Sequence, residues 1–423
     1  MNYQRRVVDD ELDEILQELP AVALEGPRGV GKTATAHERA RTAVYLDDPV
    51  QRAIVEADPR YVLKGDPPVL IDEWQRVPTI WDAVRRAVDR GAPPGSFILT
   101  GSSGPATAPS HSGAGRIVQL RMRPMNLFER GLSSPSVSLM QLLEGDGVEI
   151  GGQTELTLQE YVNELVATGF PGIRPLTGRA FRMQMDGYLQ RVIDTDFEEQ
   201  GVVVRRRETL YRWLTAFAAA TATTASFEKI RDAATAGHGE KPAKTTTQPY
   251  RDVLERLWLL DDLAAWLPSR NRLHRLSQSP KHHLADPGLA VRLLGLDATA
   301  LLSGKTQDPI VPRDGALLGN LFESLVTQSV RVFAQAAEAR VYHFRQHSGR
   351  REVDCIVERG DGRVIAIEVK LSPAIDDEDV RNLLWLRDQL GDELIDCLVI
   401  TTGPAAYRRN DGIAVVPAAL LGK

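Results

Sequence analysis

Eight residues near the start of the chain, Gly26-Pro27-Arg28-Gly29-Val30-Gly31-Lys32-Thr33, have the types and spacing of a loop that cradles phosphates. The glycines free backbone N–H groups to turn inward on a β-phosphate, and a helix starting behind them adds the favourable end of its dipole. Lys32 reaches the β- and γ-phosphates, and Thr33 offers its hydroxyl to Mg2+. Farther on, the apolar run Val69-Leu70-Ile71 ends in Asp72 and Glu73. Asp72 suits holding Mg2+ through water, and Glu73 suits polarising the water that attacks. Alone, this pair reads as an ordinary strand end; behind a phosphate loop it completes an ATP or GTP site. Phe97-Ile98-Leu99-Thr100 leads into Gly101-Ser102-Ser103, where Ser102 stands ready to sense the γ-phosphate. Arg116 opens a further apolar run, Ile117 to Leu120. Supplied by a neighbouring copy of the chain, it would neutralise transition-state charge; the competing reading is a structural salt bridge.

These side chains need elements to hold them. Ala21 to Leu24 predicts a strand ahead of the loop and Ala34 to Ala40 a helix behind it, the flanks that a phosphate loop requires. A second set of polar residues lies near the other end. Alternation across a strand places Ile365, Ile367 and Val369 on one face and Glu368 and Lys370 on the other. The same test puts Glu352 and Asp354 opposite Val353, Cys355 and Val357. Two adjacent strands would thus aim Asp354, Glu368 and Lys370 at one point. Leu318, Leu321, Phe322, Leu325, Val332 and Phe333 stripe a helix with Glu323 at its flank. Leu383 to Leu390 reads as a helix and Cys397 to Thr401 as a strand, completing an α/β module.

Length and composition bound these readings. At 423 residues the chain is expected to form two or three domains. With 43% hydrophobic and 26% charged residues and no long apolar run, it reads as a soluble cytoplasmic protein without a membrane partner. Cys355 and Cys397 both fall in apolar runs, which suggests core packing rather than a disulfide or zinc site. Only nine of the 51 basic residues are lysines, and Lys32 and Lys64 are the two found in the first 228 positions. Residues 201–280 carry thirteen basic against eight acidic side chains, although the whole chain stands at −6. A local anionic partner, DNA, would answer that excess; a solvated face is the bland alternative. Within this stretch Arg205-Arg206-Arg207 precedes three predicted helices, at 210–220, 227–234 and 250–260, the second and third split by Gly237, Gly239 and the polar run Lys244 to Gln248. The order fits a winged helix-turn-helix, with Trp266 to Arg275 as a basic wing.

Two resemblances extend this reading. The Gly-Pro-Arg-containing loop, Leu70 to Gln75, Leu99 to Ser103, Gly115-Arg116, Pro124 to Glu129 and Gly169-Phe170-Pro171 resemble a group of prokaryotic ATPases of the AAA superfamily, close to the archaeal-ATPase branch. Ser279-Pro280-Lys281 followed by Asp286-Pro287-Gly288-Leu289 also looks like that group. The resemblance implies ATP with Mg2+ as the cofactor and association of several copies. Glu323, Asp354, Glu368 and Lys370 together resemble the PD-(D/E)xK phosphodiesterase fold. That likeness implies Mg2+ held by Asp354 and Glu368 with help from Glu323, and Lys370 acting on the attacking water. The expected architecture is α/β throughout the two end domains. It comprises a P-loop ATPase domain over 1–200 with a helical lid at about 153–200, a winged helix-turn-helix over 201–304, and a restriction-endonuclease-like domain over 305–423. The expected function is an ATPase that binds or acts on DNA, with a Mg2+-dependent nuclease at its C-terminal end. The rival is a nucleotide-controlled switch whose C-terminal fold binds without cutting. A metabolic kinase is the third reading, and the Asp72-Glu73 pair and the long C-terminal half weigh against it.

Overall fold

A computed structural model describes residues 3–103, 113–132, 134–145, 148–235, 241–267, 278–303, 316–346 and 349–423. The chain divides into two compact units. The first comprises 1–124, 170–205 and 248–259, and the second comprises 125–169, 206–247 and 260–423.

The first unit is built on five short strands: β1 (Ala21–Glu25), β2 (Thr42–Tyr45), β3 (Val69–Asp72), β4 (Phe97–Gly101) and β5 (Val118–Arg121). All run parallel, in the order β2-β3-β4-β1-β5. The inner strands are apolar on both faces because helices cover both faces of such a sheet. On one face Ala21, Ala23, Val69, Ile71, Phe97 and Leu99 form a single core with residues of the flanking helices. Trp74 and Trp81 close it, with ring centroids 4.6 Å apart. Because β4 is inserted between β1 and β3, Thr100 pairs with both Leu24 and Asp72. That register brings the ends of three strands together.

The second unit carries a six-stranded sheet of β7 (Arg340–Arg345), β8 (Glu352–Glu358), β9 (Val364–Val369), β10 (Leu394–Thr401), β11 (Tyr407–Arg408) and β12 (Ala414–Pro417). Their order is β11-β12-β10-β9-β8-β7. β7, β8 and β9 form an antiparallel meander, whereas β9, β10 and β12 run parallel. The helix Asp377–Leu390 makes the crossover from β9 to β10, and it starts at a capping box formed by Asp376 and Asp379. Its Val380, Leu383 and Leu386 share a core with Val364, Ala366, Cys397 and Val399. The long helix Ala316–Ala336 buries Leu321, Phe322, Leu325 and Phe333. A two-strand ladder joins β6 (Val137–Ser138) to β13 (Leu421–Gly422).

The expected helical lid is divided. Leu158–Ala167 belongs to the second unit, where Tyr161 meets Phe322 edge-on and accepts a hydrogen bond from the Ala419 N–H. Gly178–Arg191 belongs to the first. Of the three middle helices, two occupy Arg207–Ala219 and Phe227–Ala233. The third runs from Lys244 to Arg256, so the polar run read as a separator is helical, with Pro249 inside it. Polarity alone misled there, since a solvent-facing helical turn has the same composition as a loop. Pro268 to Arg275 of the expected wing and Gly104 to Ser112 lie outside the described residues. Among the described residues no helix is long and apolar enough to cross a membrane.

Candidate functional site

The phosphate loop joins β1 to the helix Lys32–His37. Gly31 takes a left-handed conformation at the helix start, with φ +103°. A Cβ at Gly26 would stand 2.1 Å from the Met122 carbonyl oxygen, so only glycine lets the loop leave the strand there. The buried Lys32 ammonium donates to the carbonyls of Gly26 and Pro27, each at 2.8 Å. Burial pulls its pKa down to about 8, against the opposing pull of Glu73 and Asp72. The Thr33 hydroxyl donates to the Asp72 carboxylate at 2.8 Å, and Thr100 donates to the same oxygen. Burial raises the Asp72 pKa, and these two hydroxyls partly offset the rise. A hydroxyl and a carboxylate meeting beside a phosphate loop form a set of hard oxygen donors that fits Mg2+.

Glu73 ends the strand in a left-handed conformation, φ +55°, which costs a non-glycine residue about 1 kcal/mol or more. The turn points its carboxylate to Gln75 Nε2, which donates to it, and to the Ser102 hydroxyl, which donates at 3.2 Å. Ser102, expected to sense phosphate, therefore reaches the acid that is expected to polarise water. Gln75 escaped the sequence reading except as part of a longer segment.

Around the loop, Arg28 forms ion pairs with Asp196 at 3.1 Å and Glu199 at 3.2 Å, and its carbonyl accepts from the Tyr188 hydroxyl. Arg6 was not predicted. It is buried, and it donates to the carbonyls of Val30 and Arg123, both at 2.9 Å, bracing the loop from behind. Its partners lie 24 and 117 positions away, so no local pattern could reveal it. Arg116 lies on the surface, with its side chain 48% exposed and paired to Asp89 at 2.9 Å.

The second constellation is in the second unit. Asp354 on β8 and Glu368 on β9 adjoin, and the Val369 N–H donates to Asp354 Oδ2 at 2.9 Å. Lys370 lies 3.4 Å from Glu368, and Glu323 comes in from the helix Ala316–Ala336. The four predicted residues are therefore neighbours. At their focus stands a group that was not predicted to be there. The ammonium of Lys281 lies 2.8 Å from Glu323, 2.8 Å from Asp354 and 2.9 Å from Glu352. Burial would lower the Lys281 pKa, but the three carboxylates together hold it well above its ordinary value. Glu323 is raised to about 8 and Glu368 well above the usual range, in both cases by burial and by the Asp354 charge. Asp354 itself is lowered, because Lys281 and the Val369 N–H outweigh its burial. The place where a metal would bind between Glu323 and Asp354 thus holds a lysine, and among the described residues no three acidic, histidine or cysteine side chains are set to hold an ion. The arrangement as it stands does not fit Mg2+ at this point. The signal that could have found Lys281 is its rarity, one of nine lysines, in the Ser279-Pro280-Lys281 segment already singled out.

Comparison with known proteins agrees with the first half of this description. Residues 18–130 match the model of an AAA domain. Residues 158–300 and 318–421 match two models described as domains of unknown function, DUF8612 and DUF4143. The stretch that carries the phosphate loop and the Asp72-Glu73 pair is thus similar to an AAA-type P-loop domain. Two uncharacterised proteins, one of Mycobacterium tuberculosis and one of Mycobacterium bovis, are each 25% identical to this chain, covering 99% of it and 84% of their own length. Among solved structures, a Walker-type ATPase of Pyrococcus abyssi is similar over 69% of this chain and 96% of its own, at 15% identity and a TM-score of 0.40. The ORC2 protein of Aeropyrum pernix, in its ADPNP and ADP complexes, is similar over 70% of this chain and 94% of its own, at 16% identity and a TM-score of 0.30.

Proposed function

We propose that this chain is an ATP-hydrolysing switch whose nucleotide state governs binding of DNA. The observation that carries the reading is the meeting of Thr33 and Asp72 at 2.8 Å beside the buried Lys32. Thr33 and Asp72 would hold Mg2+, which when bound neutralises charge building on the phosphates. Lys32 would leave the Gly26 and Pro27 carbonyls for the β- and γ-phosphates. Glu73, held by Gln75 and Ser102, would orient the attacking water and take its proton. Arg116 would be offered to a neighbouring copy's phosphates. What supports DNA as the partner is the basic excess over 201–280 and the exposure of Arg205, Arg206 and Arg207.

For the C-terminal module, the Glu368-x-Lys370 strand beside Asp354 supports a nuclease. Lys281 at the focus of the carboxylates favours the rival, a scaffold that binds without cutting. One experiment covers both. Phosphate release from ATP is followed with and without duplex DNA for wild type and Glu73→Gln, and plasmid is incubated with Mg2+ or Mn2+ beside an Asp354→Ala control. Turnover by wild type alone, with no Asp354-dependent cutting, supports the proposal. Failure to hydrolyse ATP in any DNA condition overturns the ATPase reading, and cutting lost in Asp354→Ala restores the nuclease.

A further inference from the structure

We infer that Lys281 is the resident cation of the second unit's carboxylate centre, and that its tethered ammonium excludes a divalent ion from that place. The inference borrows the endonuclease-like reading only to say where a metal would otherwise sit; ATP turnover plays no part in it. Three observations carry it. First, the contacts surround the ammonium. It meets one oxygen each from Glu323, Glu352 and Asp354 at 2.8–2.9 Å and donates hydrogen bonds to Glu323 and Asp354, so that carboxyl oxygens enclose it on three sides. Second, the place is filled. With the ammonium present the oxygens stand 2.8–2.9 Å from Nζ, whereas Mg2+ demands oxygens at roughly 2.0–2.1 Å, so an ion could enter only by displacing the lysine and drawing the carboxylates in. Third, the lysine is anchored. It is 1% exposed, its backbone N–H donates to the Leu263 carbonyl at 2.9 Å, and its carbonyl accepts from the Leu263 N–H at 2.8 Å. The next residue is fixed likewise, with the His282 N–H donating to Thr223 at 2.9 Å.

The chemical consequence is loss of function at one atom. An ammonium balances buried carboxylates and ties the 278–285 segment to the helix Ala316–Ala336 and to β8. It has no open coordination position at which to activate water. A divalent ion would do both. Taking the ammonium away should leave carboxylates short of a partner, ready to accept an ion.

The test uses the full chain without nucleotide, with Mn2+ as the probe and thermal midpoint as the readout. Wild type and Asp354→Asn should show the same change of midpoint with Mn2+, since any ion held by Thr33 and Asp72 is common to both. Lys281→Met, which keeps the volume and removes the charge, should melt lower than wild type. Its midpoint should then rise with saturating Mn2+ by roughly 5 °C or more beyond the wild-type change, and Lys281→Met/Asp354→Asn should lose that excess. A folded Lys281→Met protein that responds to Mn2+ no more than wild type would overturn the inference. So would a wild-type response to Mn2+ that disappears in Asp354→Asn. Should the lysine variant not fold, the number of Mn2+ ions bound by wild type and by Asp354→Asn, counted by electron paramagnetic resonance, decides. Equal counts uphold the tethered cation, and an ion lost with Asp354 refutes it.

Discussion

Glu73 and Asp72 are adjacent in sequence yet face different tasks, because a left-handed turn between strand and loop swings the second carboxylate away from the first. Asp72 is engaged by Thr33 and Thr100, and Glu73 by Gln75 and Ser102. Glu73→Gln should therefore keep ATP affinity and lose turnover by about 100-fold or more, measured as nucleotide binding beside phosphate release; an equal loss of both would place Glu73 in binding instead. Lys32 offers a pH test. Burial holds it at about 8 in the free protein, and bound phosphates must raise it, so binding takes up a proton wherever the free lysine is neutral. Affinity should be level below about pH 8 and weaken by up to about tenfold per unit above it. Titrations near pH 7 and near pH 9.5 would check this, and an affinity unchanged across that span would contradict it. At this scale the phosphate loop and the acid pair are legible, because their chemistry is packed into a few consecutive positions. Arg6, Gln75 and Lys281 are not. Lys281 meets Glu323 from 42 positions away and Asp354 from 73, and a lone lysine in an extended segment carries no periodicity to betray burial.

At the scale of elements, strand and helix patterns carry well. β1, β3, β4 and β10 lie where apolar runs place them, and the helix Ala316–Ala336 contains the predicted stripe. The polar run before Tyr250 does not, for the reason given by its helical turn. How elements are tied together is less legible, and Asp286 shows why. It caps the helix Pro287–Leu293 through the Gly288 N–H at 2.8 Å, accepts from Thr168 at 2.8 Å and from the Gly169 N–H at 2.7 Å, and lies 3.7 Å from the buried Arg130. One carboxylate thus joins three segments remote in sequence. Removing it in Asp286→Ala leaves buried donors without an acceptor and should cost roughly 3 kcal/mol or more, read from urea unfolding. A cost below about 1 kcal/mol would mean that Arg130 finds enough in Glu164, 3.0 Å away.

For the whole molecule, the two readings of Arg116 separate cleanly. If its role ends at Asp89, then Arg116→Ala and Asp89→Ala should behave alike, each costing under about 1 kcal/mol of stability and leaving turnover intact. If a neighbouring copy uses it, Arg116→Ala alone should lower turnover by about 1000-fold, and wild-type activity per chain should fall on dilution. Enzyme assays across protein concentration, beside melting curves for both variants, decide between them. Domain organisation was only partly legible. The P-loop sheet follows from local patterns, whereas the grouping of 125–169 with the C-terminal sheet depends on pairings that no linear reading contains. Those pairings have a consequence for inheritance. Val137 finds its strand partner in Leu421, and Tyr161 finds its neighbours in Phe322 and Ala419. A gene fragment stopping near residue 304 would strip these residues of their cover, and one starting there would lack the segment that covers it in return. The stretches 158–300 and 318–421, although matched by separate family models, are therefore not free to be shuffled one at a time; evolution must pass them on together or repair both sides of the cut.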